Sequence, residues 1–90
     1  MIADKKAVSR LLKTARGQIE GILKMIEEDR YCLDISNQLQ ATASIIKKAN
    51  TKVLSAHLQH CVKESFETGT EPERTKKMDE MIAILIKNSK

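Results

Sequence analysis

An all-α fold, with three helices per chain and one very long central helix, is what this sequence predicts, and three observations predict it. Apolar residues recur every three or four positions along most of the chain. Between Gly21 and Gly69 there is neither Gly nor Pro, and the whole chain of 90 residues holds only three Gly and one Pro. No run of alternating apolar and polar residues marks a strand. The chain is too short for more than one small domain, read here as residues 1–90 with helices over about 4–29, 31–66 and 72–88.

The first helix starts where Asp4 can cap it. Val8, Leu11, Leu12, Ala15, Ile19, Ile22 and Ile26 then form its apolar rows. Gly17 and Gly21 are one turn apart on one face, where a partner helix has room to come close. Glu27, Glu28, Asp29 and Arg30 finish the helix in solvent.

The second helix, Tyr31 to Phe66, is a rod of roughly 50 Å at 1.5 Å per residue. Ile35, Leu39, Ala43, Ile46, Asn50 and Val53 form a near-heptad row, and Ile45, Ala49, Leu54, Leu58, Val62 and Phe66 widen the apolar surface. The flanking helices are too short to cover it, and exposed apolar surface of that extent marks an interface. The expectation is an antiparallel helical-bundle homodimer. Gly69 stops the rod, and Pro72 suits the first turn of a third helix with Met78, Met81, Ile82, Leu85 and Ile86 on one side.

Two cysteines exclude a disulfide-stapled secreted scaffold, and no apolar leader follows the N-terminal charges. A reducing cytoplasm is the expected location. No apolar stretch is long enough for a membrane span. No acid–base pair or cofactor motif points to an enzyme, so neither catalytic residues nor an organic cofactor are expected. Binding or sensing is the remaining class.

His57 and Cys61 are one helical turn apart and continue the near-heptad row; run backwards, the row reaches Cys32. Imidazole and thiolate are ligands for soft and borderline metals. Cys32 and Cys61 are separated by roughly 43 Å of helix rise, so they cannot share a metal within one chain. In an antiparallel pair, Cys32 of one chain meets His57 and Cys61 of its mate, giving two equivalent inter-protomer sites. Cys, His and Cys suit trigonal Cu(I); Zn(II) wants a fourth donor and is a non-cognate ligand. His60 points about 100° away from Cys61. Glu64, one turn beyond Cys61, suits Zn(II) or Ni(II) better than Cu(I). Tyr31 stands ready as a hydrogen-bond donor behind the ligands.

Sixteen Lys plus Arg against twelve Asp plus Glu give a net charge of +4. Lys5, Lys6, Arg10, Lys13 and Arg16 line the first helix, and Lys47 and Lys48 form a second cluster. Together they offer a phosphate-binding face, with Gln18 placed to reach a base edge. No helix-turn-helix or zinc finger accompanies them.

Gly17-Gln18, then GILKMIEEDRYC (21–32), LDISNQLQA (33–41), His57-Leu58 and Cys61-Val62 resemble the copper-sensitive operon repressor family, whose other branches sense nickel, cobalt, formaldehyde or persulfide. The resemblance covers about residues 7–66 and implies three-helix protomers whose dimers pair into a flat homotetramer. It implies an apo form that binds double-stranded operator DNA through a basic surface and lets go when Cu(I) binds, so that copper-export genes are expressed. The copper ligands of the family fall on Cys32, His57 and Cys61, and the persulfide branch lacks this histidine. The family's coupling glutamate on the third helix falls on Lys77 by gap-free counting and on Glu80 with a longer linker. Two other readings stand beside it: a cysteine-based persulfide or thiol sensor, and a helical oligomerisation or metal-binding module that binds no DNA.

Overall fold

A computed structural model describes residues 1–88. Three helices follow in order, α1 (Lys5–Glu27), α2 (Cys32–Thr68) and α3 (Glu71–Asn88), with no strand among the described residues. The fold is all-α. By backbone proximity the chain groups into two compact units, Met1–Leu54 and the part from Ser55 onward.

In the first unit, Asp4 caps α1 as its position predicts: its carboxylate accepts from the backbone N–H groups of Lys6 at 3.0 Å and Ala7 at 3.3 Å. The far end of α1 stops two residues earlier than the sequence spacing suggests. Arg30 N–H donates to the Met25 carbonyl and Asp29 N–H to that of Ile26, a Schellman turn. Asp29 takes the left-handed position usually given to Gly, at φ 53°. That is why the ending is invisible to a reader looking for glycine.

Val8, Ala15 and Ile22 are buried on α1 at seven-residue spacing, and Thr42 and Ala49 are buried on α2 at the same spacing. A seven-residue period on two helices marks a coiled-coil-like seam. The Thr42 hydroxyl ties across to α1, 2.8 Å from Gln18 Oε1. These buried side chains are small or medium, and no large side chain is fully enclosed among the described residues. Leu39 and Ile46, from the row read as an interface, remain exposed, as do Leu12, Ile19, Leu23 and Ile26 on α1.

The expectation for Gly17 and Gly21 is not met within the chain. Both are exposed, and a Cβ on either would touch nothing within 4 Å.

In the second unit Gly69 turns the chain from α2 into α3. A Cβ there would lie 2.7 Å from the Ser65 carbonyl oxygen, so glycine is required by a close approach of backbone to backbone. Thr70 opens α3: its carbonyl accepts from Arg74 N–H at 2.9 Å, and its own N–H donates to Glu73 Oε2 at 3.2 Å. The second contact is the reciprocal half of a capping box. No helix is long and apolar enough to cross a membrane among the described residues.

Candidate metal pair and nucleic-acid face

His57 and Cys61 stand on successive turns of α2 in the second unit, with Nε2 and Sγ 3.4 Å apart. Cys61 is 4% exposed and His57 is half-buried. A metal held about 2.3 Å from sulfur and about 2.0 Å from nitrogen, at tetrahedral to trigonal angles, separates the two donors by roughly 3.5–3.7 Å. Opening the pair by a few tenths of an ångström therefore suffices, and one soft and one borderline donor already converge. The pair fits a thiophilic metal.

Among the described residues no group of three or more His, Cys, Asp or Glu side chains gathers closely enough to hold an ion. Cys32 is a free thiol, exposed at the first residue of α2 and in the first unit. Tyr31, just ahead of it, is exposed, and its carbonyl accepts from the N–H groups of Asp34 and Ile35 as α2 begins.

His60 and Glu64 pair with each other at 3.4 Å, with both side chains more than half exposed. Lys77 and Glu80, the two alternatives for the coupling position on α3, lie one turn apart, with Lys77 Nζ 3.9 Å from Glu80 Oε2. A shift of register there exchanges a cation for an anion.

The seven basic residues expected to hold phosphates all lie in the first unit. Lys5, Lys6, Arg10 and Lys13 line one shallow groove on α1 with Ser9. Arg16, Lys47 and Lys48 are exposed. No salt bridge neutralises any of these among the described residues. Gln18 is placed differently from its basic neighbours: it is half-buried, and its amide meets Thr42. The Thr42 hydroxyl also lies 3.0 Å from the Gln38 carbonyl. One proton cannot serve both acceptors, so turning the Gln18 amide to present Nε2 as donor satisfies the whole set.

Two features escape a reading of residue types alone. Thr42 looks like a polar gap between apolar rows, and only its place seven residues before Ala49 hints at burial. Arg74 looks like a solvated charge, yet its Nε donates to the Ser65 carbonyl at 3.1 Å. Its place just past a Gly–Pro elbow is the available signal.

The chain is 46% identical over 61 residues to the copper-sensing transcriptional repressor CsoR of Mycobacterium ulcerans, covering 67% of this chain and 52% of that protein. It is 37% identical over 66 residues to the copper-sensing transcriptional repressor RicR of Mycobacterium tuberculosis, covering 73% and 69%. To CsoR of Bacillus subtilis it is 36% identical over 66 residues, covering 73% and 65%. The matched region is thus about half the length of the mycobacterial CsoR proteins. No solved structure matches. The family model for metal-sensitive transcriptional repressors runs from residue 4 to residue 87, through the capped start of α1, the His57–Cys61 pair and nearly all of α3; the chain belongs to that family.

Proposed function

We propose that residues 1–90 form a single Cu(I)-responsive repressor domain that binds double-stranded operator DNA in its apo form and releases it on binding Cu(I), derepressing copper-export genes. The observation that carries this reading is the 3.4 Å approach of His57 Nε2 to the buried Cys61 Sγ. Relatives named copper-sensing support the choice of inducer.

The ligand set is Cys32 from one protomer with His57 and Cys61 from its antiparallel mate, in a homodimer that pairs into a homotetramer. Cu(I), when bound, supplies a preference for two thiolates and one imidazole in a low-coordinate site. Zn(II) has the same donors but lacks a fourth, and it is non-cognate. His57 presents Nε2 to the site, leaving Nδ1 for a hydrogen bond that fixes the ring. Tyr31 and Glu80 stand behind the ligands in this role.

Lys5, Lys6, Arg10, Lys13, Arg16, Lys47 and Lys48 hold phosphates, with Gln18 at the edge of the face. Their spacing is set by how α2 segments of two chains pack, so a site that ties two chains together alters the fit to DNA. Linkage then requires operator DNA to weaken Cu(I) binding by the factor that Cu(I) weakens operator binding. The protein turns nothing over, uses no organic cofactor, and works in the cytoplasm away from the membrane.

The deciding experiment is an anaerobic Cu(I) titration against a high-affinity chelator, with wild type, Cys61→Ala and His57→Ala in parallel. One tight Cu(I) per protomer, weakened by roughly two orders of magnitude or more in both variants, is the expected result. Binding indifferent to His57 would overturn it and favour a sensor of sulfur chemistry at the cysteines alone.

A further inference from the structure

Ser65 lies one turn beyond Cys61 on the same side of α2, so His57, Cys61 and Ser65 form one row along the helix. The Ser65 carbonyl accepts two hydrogen bonds. One comes from Gly69 N–H at 3.1 Å and continues the backbone ladder of α2. The other comes from Arg74 Nε–H at 3.1 Å and reaches back from α3 across the elbow. The Arg74 guanidinium also stands over the Phe66 ring, 5.9 Å from its centroid. Arg74 and Phe66 join Val62, Met78 and Met81 around an apolar cavity of ≈ 330 Å³.

One arginine thus makes a charge-assisted hydrogen bond, a cation–π contact and an apolar contact with the same turn of α2. The elbow beneath it has no room for a side chain at Gly69, because a Cβ there would lie 2.7 Å from the Ser65 carbonyl oxygen. A lysine at this position would keep the charge. It would lose the planar fork that donates from Nε while the guanidinium lies over the ring.

We infer that Arg74 is a positioning residue: it fixes α3 against the turn of α2 that follows the His57–Cys61 pair, and it relays ligand occupancy at that pair to α3. The physical route is short. In the helical ladder Ser65 N–H bonds back to the Cys61 carbonyl, so a turn of the backbone at Cys61 re-aims the Ser65 carbonyl and pulls on Arg74. The relay rests on the repressor reading above; the clamp on α3 does not.

The test uses the full chain with Arg74→Ala and Arg74→Lys. Cu(I) affinity is measured by chelator competition for free and for operator-bound protein, and their ratio is the coupling factor. Amide hydrogen exchange is followed over residues 69–75. Both variants are expected to keep wild-type Cu(I) stoichiometry and free-protein affinity within about threefold. The coupling factor, ordinarily 5–150-fold for such systems, is expected to fall about tenfold or to unity. Exchange over the elbow is expected to quicken about tenfold.

An unchanged coupling factor in both variants overturns the relay, even if operator affinity drops, because that pattern is a purely structural defect. Wild-type coupling in Arg74→Lys overturns the need for the guanidinium. Unchanged exchange overturns the clamp. Absence of coupling in the wild type removes the repressor reading and the relay together, and the exchange measurement still decides the clamp.

Discussion

At Thr42 a hydroxyl stands where a seven-residue seam calls for an apolar side chain. It is 4% exposed and answers to Gln18 on α1 and Gln38 on its own helix. Thr42→Val keeps the shape and removes the hydrogen bonds, so stability should fall by about 1 kcal/mol, read from urea midpoints at one fixed protomer concentration. Gln18→Ala should cost a similar amount through the lost Thr42 contact, and a change in operator sequence preference in the same variant would show that Gln18 also reaches a base edge. Arg10→Ala should behave in the opposite way, with stability unchanged and the salt dependence of operator binding reduced by about 0.9 in log–log slope per lost phosphate contact. At this scale the sequence reveals donors, acceptors and charges but not which neighbour claims them. His57 and Cys61 are legible because one helical turn is all that separates them. Thr42 and Gln18 are 24 residues apart, and their meeting depends on the pairing of two helices.

Helix ends are where local chemistry and packing disagree most. Asp29 holds a left-handed conformation at φ 53°, a position where a Cβ costs energy and glycine does not. Asp29→Gly should therefore stabilise the first unit by about 0.5–1 kcal/mol in thermal melts, unless the entropy gained by the unfolded chain offsets the relief. Gly69→Ala should do the reverse, costing about 1–3 kcal/mol through the clash with the Ser65 carbonyl. The Asp4 cap and the stop at Gly69 follow directly from residue type. The end of α1 does not, since nothing in Glu27–Arg30 announces a turn except a backbone angle that Asp tolerates better than most. Of the seam residues on α2, Ala49 belongs to an apolar row that spacing picks out, whereas Thr42 falls between the rows. A helix with apolar residues on several sides has more than one plausible face, and only the partner helix decides which is covered.

For the molecule as a whole, exposure is the main fact. Leu39, Ile46, Leu12, Ile19 and Leu23 are all more than 40% exposed, and among the described residues no third His, Cys, Asp or Glu joins the His57–Cys61 pair. Both deficits have one remedy in the proposed antiparallel dimer. Mixed Cys32→Ala and Cys61→Ala proteins, each unable to bind Cu(I) tightly, should regain one tight site per heterodimer after co-refolding, because one chain supplies Cys32 and the other His57 and Cys61. Chelator competition on the mixture reads this directly, and no recovery would overturn the inter-protomer ligand set. A Leu39→Lys, Ile46→Lys double variant should lower the mass seen in sedimentation equilibrium and lose tight Cu(I) binding with it. The long uninterrupted helix and its uncovered row are readable from composition and spacing. The partner that covers the row is a second molecule, which the periodicity of one chain implies without depicting.

The contact that forces glycine at position 69 has a genetic consequence. A clash between two side chains can be relieved by trimming either one, so a second mutation elsewhere restores the fit. Here the obstacle is the backbone oxygen of residue 65, which every codon encodes alike. Suppressors of a Gly69 substitution will thus be reversions at that codon, or changes that add stability elsewhere without mending the elbow. Allele-specific suppressors at position 65 should be absent from any such screen.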